Sequence, residues 1–326
     1  MNASHYLYAQ RWMVRDTFRQ AIYTGLFGVM LGISAVFIAV CLTIGVSGDQ
    51  PIQHEDDKEF LPRGTTDPGR LRVLSGELTL MFGAYKLPLA RDRRDAVYTI
   101  QLLLAGGVAD SAGILLALLW SAGFVPAFLE PSAASVLLTK PIPRTALLIA
   151  KYLSVLVFVF FQATIFIGGT WLALGLKTGI WDMAYLWAIP LLLAHFAVFY
   201  SFSVLLAVHT RSTVASAIGS VAFWLMCWGM NFGRHMLVSL PEGQTHASAG
   251  LRWLADVGYW ILPKPADLGM LLFNALEAHR YFVQPLDFDA LIKGGFLMPD
   301  ASIWSSLATT LVILLVAVHG LANTDY

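Results

Sequence analysis

Six stretches of this chain stay apolar long enough to cross a bilayer, and polar segments of very unequal length separate them. They run over about 22–46, 101–128, 152–176, 186–208, 214–238 and 303–322. A hydrocarbon layer of roughly 30 Å needs about 20 helical residues, and each stretch meets that length. Trp171, Trp181, Tyr185, Trp187 and Trp304 fall near the ends of these stretches. Amphipathic rings favour the head-group layer there. The pattern predicts an all-α polytopic membrane protein, a single membrane domain over 1–326 with six transmembrane helices.

The polar intervals carry their own periodicities. Before the first span, Arg11, Arg15 and Arg19 recur every fourth residue, with Tyr8, Trp12, Val14 and Phe18 beside them. A basic amphipathic helix of this kind lies in the interface over anionic lipid, so 1–21 reads as an N-terminal interfacial helix. The interval 47–99 turns soluble in character: acidic from His54 to Glu59, turn-rich at Thr65–Gly69, then alternating from Arg70 to Phe82 around Ser75-Gly76. The alternation predicts a small β-hairpin, which must pack on the membrane domain or on a second copy because two strands alone are marginal. The interval 239–302 holds two amphipathic pieces, Ala249–Trp260 and Ala266–Tyr281, separated by Leu262-Pro263-Lys264-Pro265. Such an interrupted loop lies in the interface or dips into it and returns. Dipping requires protein cover for the broken backbone.

The interval 129–151 is short. Proline is tolerated at the first helical position, so Glu130-Pro131 can open a helix. Pro141 and Pro143 stop it, because the residue before a proline is disfavoured from helix. Ala133, Ala134, Val136, Leu137 and Leu138 give the helix an apolar face, and the segment reads as a short helix on a membrane surface.

Composition supports this class. The 326 residues are 57% hydrophobic and 13% charged, about half the charged share of soluble domains, and mean hydropathy is +0.66. The net charge of zero gives no argument for nucleic acid. Cys41 and Cys227 both lie in apolar runs and read as small buried hydrophobes. Three arginines before the first span and an acidic run after it place the N-terminus in the cytoplasm. Arg91, Arg93 and Arg94, ahead of the second span, run against that bias.

Enzymatic signals are sparse. No G-x-x-x-x-G-K-S/T loop occurs, and Gly169–Thr178 has its letters at the wrong spacing, inside a span. The chain reads as a non-enzyme with no cofactor or metal of its own. His195 and His209 are spaced as stacked haem ligands would be, but each haem needs a partner histidine on a facing helix and His319, near a span end, is the one other intramembrane candidate, so packing is the plainer reading. Asp110 stands in Gly106-Gly107-Val108-Ala109-Asp110-Ser111-Ala112-Gly113 of the second span. An intramembrane carboxylate faces the bundle interior or water, so Asp110 either lines a substrate path, with His195, or makes a structural hydrogen bond at a helix contact. Asn231, Arg234 and His235 close the fifth span, where Arg234 is expected to reach out to the interface. On the same helix, Ala215/Gly219 and Ser216/Ser220 give small faces suited to helix association.

Leu137-Leu138-Thr139-Lys140-Pro141-Ile142-Pro143-Arg144, with Lys151 seven residues on, resembles the signature of ABC transporter permeases of the type-2 exporter class. Glu130, Leu137, Leu138, Lys140, Pro141, Arg144 and Lys151 match by position, and Ser135 lies on the same short helix. Ser132-Ala133 departs from the family's usual Gly-Thr. In layout the resemblance covers most of the chain, and it is nearest to the subgroup grouped with multi-copper enzyme maturation. It implies a bacterial inner-membrane permease that dimerises with a second copy or a homologous permease. It also implies ATP bound by a separate cytoplasmic ATPase, docked on a coupling helix at Pro131–Thr139. A polytopic scaffold or assembly factor without transport is the alternative from another class.

Overall fold

The computed structural model describes residues 3–48, 76–89, 93–130, 143–239, 248–276 and 298–323. Among these, six helical stretches are long and apolar enough to cross a membrane: Leu26–Thr43, Arg93–Leu129, Arg144–Thr178, Met183–Thr210, Thr213–Val238 and Ala301–Ala322. Each falls on one of the six apolar stretches of the sequence.

A helix that is not a span comes first. α1 (Ala3–Tyr23) buries Met13, Thr17 and Ala21, four residues apart, while Arg11, Arg15 and Arg19 stand exposed. It packs along α6 (Arg144–Thr178), so one face of the basic helix is covered by protein. Gly25, at φ 71°, turns the chain from α1 into α2 (Leu26–Thr43), a conformation glycine adopts without steric cost.

The second span is not uniform. It runs through α3 (Arg93–Leu102), a π-helical segment over Leu103–Gly113, α4 (Ile114–Ser121) and α5 (Phe124–Leu129). Most π-helix is a single-turn bulge, often at functional sites, and eleven residues of it is unusual. Ser111 Oγ donates to the Gly106 carbonyl five residues back, at 3.2 Å, in step with the wider turn.

The third and fourth spans form the centre. α6 is 35 residues long, about 52 Å at 1.5 Å per residue, and overruns the hydrocarbon layer at one end or both. Phe158, Ile167 and Leu174 of α6 are buried with Phe196, Phe199 and Val204 of α7 (Ala188–Thr210). Tyr152 stacks on Tyr200 at 5.7 Å and donates its hydroxyl to the Ala197 carbonyl at 2.8 Å. α8 (Thr213–Ser239) returns along α7 after a turn in which Arg211 takes φ 50°. Ser216 and Ser220 are buried, and Gly219 meets Leu206 so closely that a Cβ would collide with it. The small-residue face is therefore used within the chain. Cys41 and Cys227 are both buried and free.

Three strands form an antiparallel sheet in the order β1 (Gly45–Gly48), β2 (Gly76–Leu80), β3 (Tyr85–Leu89), with Gly45 opposite Thr79 and Leu80 opposite Tyr85. This corrects the expected hairpin. The reversal lies at Met81–Ala84, where Met81, Phe82 and Gly83 all have positive φ, and Gly76 is a strand residue. β1 continues directly from the first span, which supplies the third strand that a bare hairpin would lack. Residues 49–75 lie outside the described residues.

Two ends of the bundle can be told apart. α1, the Thr210–Thr213 turn and the end of the last helix, α11 (Pro299–Ala322), lie at one of them: Gly123 approaches Thr213, and Gly320 approaches His209. The sheet lies at the other, where the Arg93 guanidinium donates to the Thr178 carbonyl at the end of α6. That contact gives one of the unexplained arginines a role, since a cation complements the last carbonyls of a helix.

Candidate functional site

The interval between the fifth and sixth spans folds into α9 (Ala249–Ile261) and α10 (Pro265–Ala275), broken at Leu262–Lys264. α9 buries Ala255 and Tyr259 and exposes Leu251, Trp253, Leu254, Trp260 and Ile261, an apolar face suited to the lipid interface. α10 packs against α7, α8, α11 and the π-helical segment. The broken backbone has the protein cover that dipping requires. The Lys264 N–H donates to Ser306 Oγ at 3.3 Å, the Ala266 N–H to Asn231 Oδ1 at 2.9 Å, and Thr309 Oγ1 donates to the Ile261 carbonyl at 2.7 Å.

A buried polar cluster forms around Asp267 of α10. Its Oδ1 receives Asn231 Nδ2 at 3.1 Å and faces His235 Nε2 at 3.1 Å; its Oδ2 receives the Tyr259 hydroxyl at 2.5 Å and Ser302 Oγ at 2.6 Å. Burial pushes this carboxyl up, but the hydrogen bonds from His235, Ser302 and Tyr259 outweigh burial and hold it at about 2. Burial first, then the charge and hydrogen bond of Asp267, push the Tyr259 hydroxyl well above its ordinary value. Arg234 lies 4.0 Å over the Tyr259 ring and donates from Nε to Asp256 at 3.0 Å. It is buried rather than extended to the interface as expected, because α9 folds back over the end of α8 and supplies both partners. Lys264, fully buried, places Nζ 4.7 Å over the same ring and 2.5 Å from Ser305 Oγ. Burial is the main cause that brings its amine down to about 8.

The two residues assigned to a substrate path meet one another. His195 Nδ1 stands 2.6 Å from Asp110 Oδ1. Nε2 of the same ring is buried without a hydrogen-bond partner among the described residues. α10 passes over this pair at Gly269, where a Cβ would stand 3.3 Å from Asp110 Oδ2. One short helix thus touches both polar groups: Asp267 on one side, Asp110–His195 on the other. An imidazole anchored through Nδ1 leaves its second nitrogen as the group a ligand's polar atom could meet. Of the two roles read from sequence for Asp110, the contact with His195 is the hydrogen bond between helices.

The coupling residues are placed only in part. Ser135, Leu137, Leu138, Lys140 and Pro141 lie outside the described residues, as does the short helix expected at Pro131–Thr139. Glu130 is exposed at the end of α5, and Arg144 begins α6. Lys151 does not face outward. It is buried, 3.0 Å from Asp16 and 3.3 Å from Gln20 Oε1 of α1, and it lies over the Phe124 ring.

Sequence reasoning missed the Asp267 cluster, although Asn231 and His235 were noted as span-closing residues. A readable signal did exist in the Pro-Lys-Pro break between two apolar pieces, followed by Ser302, Ser305 and Ser306 on one side of the last span. Comparison with protein-family models and with curated proteins finds no match to this chain.

Proposed function

We propose that this chain is the membrane-spanning permease subunit of an ATP-binding-cassette exporter, paired with a second copy or a related permease and driven by a separate cytoplasmic ATPase that binds the ATP. One observation supports the reading most. α1 packs on both flanks of 131–142, with Met13 clustered against Phe128 before it and Leu147 and Ala150 after it, while Asp16 pairs with Lys151. A displacement of that segment would reach α6 through a packed, ion-paired joint rather than a slack link, as rigid-body coupling requires. On this reading Glu130, Ser135, Leu137, Leu138, Lys140, Pro141 and Arg144 meet the ATPase, and Lys151 ties the docking segment to α1. α1 and its arginines face the cytoplasm of a bacterial inner membrane, and Asp110 and His195 border the export path.

Affinity purification of the full-length chain from its native membrane tests the proposal. An ATPase subunit is expected to co-purify, and Leu137→Ala with Leu138→Ala is expected to weaken its retention by at least about tenfold, as for central apolar anchors of an interface. If no ATPase co-purifies with the wild-type chain, the permease reading fails and a scaffold without transport takes its place.

A further inference from the structure

The small sheet carries an apolar turn that points back at the bilayer. β1 leaves the end of α2 at Gly45 and runs away from the span, and β2 pairs antiparallel to it, with Gly48 opposite Gly76 and Gly45 opposite Thr79. β2 therefore descends toward the span. The turn that follows it, Met81–Gly83, comes down beside the last residues of α2 and packs against that helix. Leu78 and Leu80 face the core and fix the sheet on the bundle. The large side chains of the turn do not follow them inward: Met81 is 64%, Phe82 77% and Tyr85 63% exposed. The Phe82 ring lies 5.2 Å from Lys177 Nζ in the last turn of α6, next to the exposed Leu176. Trp171 and Trp181 pair at 4.9 Å at the same end of α6, where indole rings mark the head-group layer.

Depth and residue choice together say what meets this turn. It lies level with the last turns of two spans, α2 and α6, whose outward residues Leu42 and Leu176 are exposed and apolar. The patch thus continues a lipid-facing surface rather than standing alone above it. Met81 and Phe82 hold φ 51° and 57°, a left-handed backbone that turns in water usually give to glycine or asparagine, which adopt it at lower cost. Here that conformation presents a thioether and a phenyl ring, side chains that gain by leaving water. Lys177, beside the ring, can lay its stem along the apolar patch and keep its ammonium among the head groups. Tyr85 has the amphipathic ring that suits the same layer. We infer that the Met81–Tyr85 turn inserts into the leaflet at the sheet end of the bundle, with Met81 and Phe82 among the upper acyl segments and Lys177 at the phosphate level. The partner is the lipid surface, and the contact stands independently of any ATPase.

The test uses the full-length chain in vesicles of phosphatidylethanolamine and phosphatidylglycerol, with Met81→Cys, Phe82→Cys and Tyr85→Cys made singly and each labelled with a nitroxide. Cys41 and Cys227 are buried, which leaves the introduced thiol as the accessible one. Each replaced side chain is exposed, so no buried contact is lost, and positions 81 and 82 report on the turn separately. Collision with oxygen, which concentrates in hydrocarbon, is expected to exceed collision with a water-soluble nickel chelate severalfold at 81 and 82, and to come nearer to parity at 85. Adding Met81→Ser and Phe82→Ser to the Tyr85→Cys chain should turn that label toward the nickel chelate. A nickel preference at 81 and 82 would place the turn in water. Poor access to both relaxants would place it under protein, such as a second copy. Either result would overturn the inference, as would an unmoved label at 85 in the serine variant.

Discussion

Asp267→Ala is expected to cost the folded chain about 3–5 kcal/mol, the range for removing one partner from a buried, charged hydrogen-bond network. The carboxylate serves Asn231, His235, Tyr259 and Ser302 at once, and alanine leaves all four without their acceptor. A thermal melt of the purified chain in detergent should show a large fall in Tm, with protease nicking concentrated in α9–α10. Unchanged Tm and protection would show that the cluster does not hold the broken helix in place. The pH dependence follows from the same groups. Asp267 is held at about 2, below its ordinary 3.8, so its contribution is full above that ordinary value and is lost as pH falls toward 2. Lys264 is brought down from 10.5 to about 8, so between those values the unfolded chain holds more protons and stability rises with pH. Tyr259, raised above its ordinary 10.0, opposes further gain beyond that point. Wild-type Tm should therefore rise from pH 2 to 4 and again from pH 8 to 10. The first rise should weaken in Asp267→Asn and the second in Lys264→Met.

The second large effect is expected at the joint between α1 and α6. Lys151→Glu places a carboxylate in a site that is 1% exposed, beside Asp16 and the acceptor oxygen of Gln20. An uncompensated buried charge of this kind costs about 3–5 kcal/mol, more than the ion pair itself contributes, because the removed cation had offset its own burial. α1 should come away from α6, seen as rapid proteolysis within 3–23 while the six spans stay protected. Reversing both charges, Asp16→Lys with Lys151→Asp, should restore part of the protection. If α1 remains protected in Lys151→Glu, the apolar contacts of Met13, Thr17 and Ala21 hold it without the ion pair. On the permease reading, the single variant should also lose its ATPase, although Leu137 and Leu138 are intact.

These residues separate what could be read early from what could not. Asp110 and His195 each stood out because an ionisable group in a span is expensive, but nothing along the chain says that they meet. They lie 85 residues apart, on helices whose rotation is set by packing. Lys151 matched a partner-facing motif by position and proved to be covered by α1, whose burying face shows only once α6 lies beside it. Asp267 and Lys264 stood in a loop of ordinary polarity, where charged residues usually meet water, so their burial gave no local sign. The hairpin was displaced for a similar reason. Alternation marks a strand, but the reversal depends on positive φ at Met81–Gly83, which residue type does not announce.

The sequence by itself determined the membrane class, the six spans, the amphipathic first helix and the break in the last loop. Each follows from local hydrophobic period and length, and the bilayer enforces both on any chain that crosses it. Only the tertiary structure decided which polar residues are partners: Asp16 with Lys151, Asp110 with His195, and Asp267 with its four donors. The hydrophobic pattern says which residues avoid water. The crossing and rotation of packed helices decide what each buried polar group must find in its place.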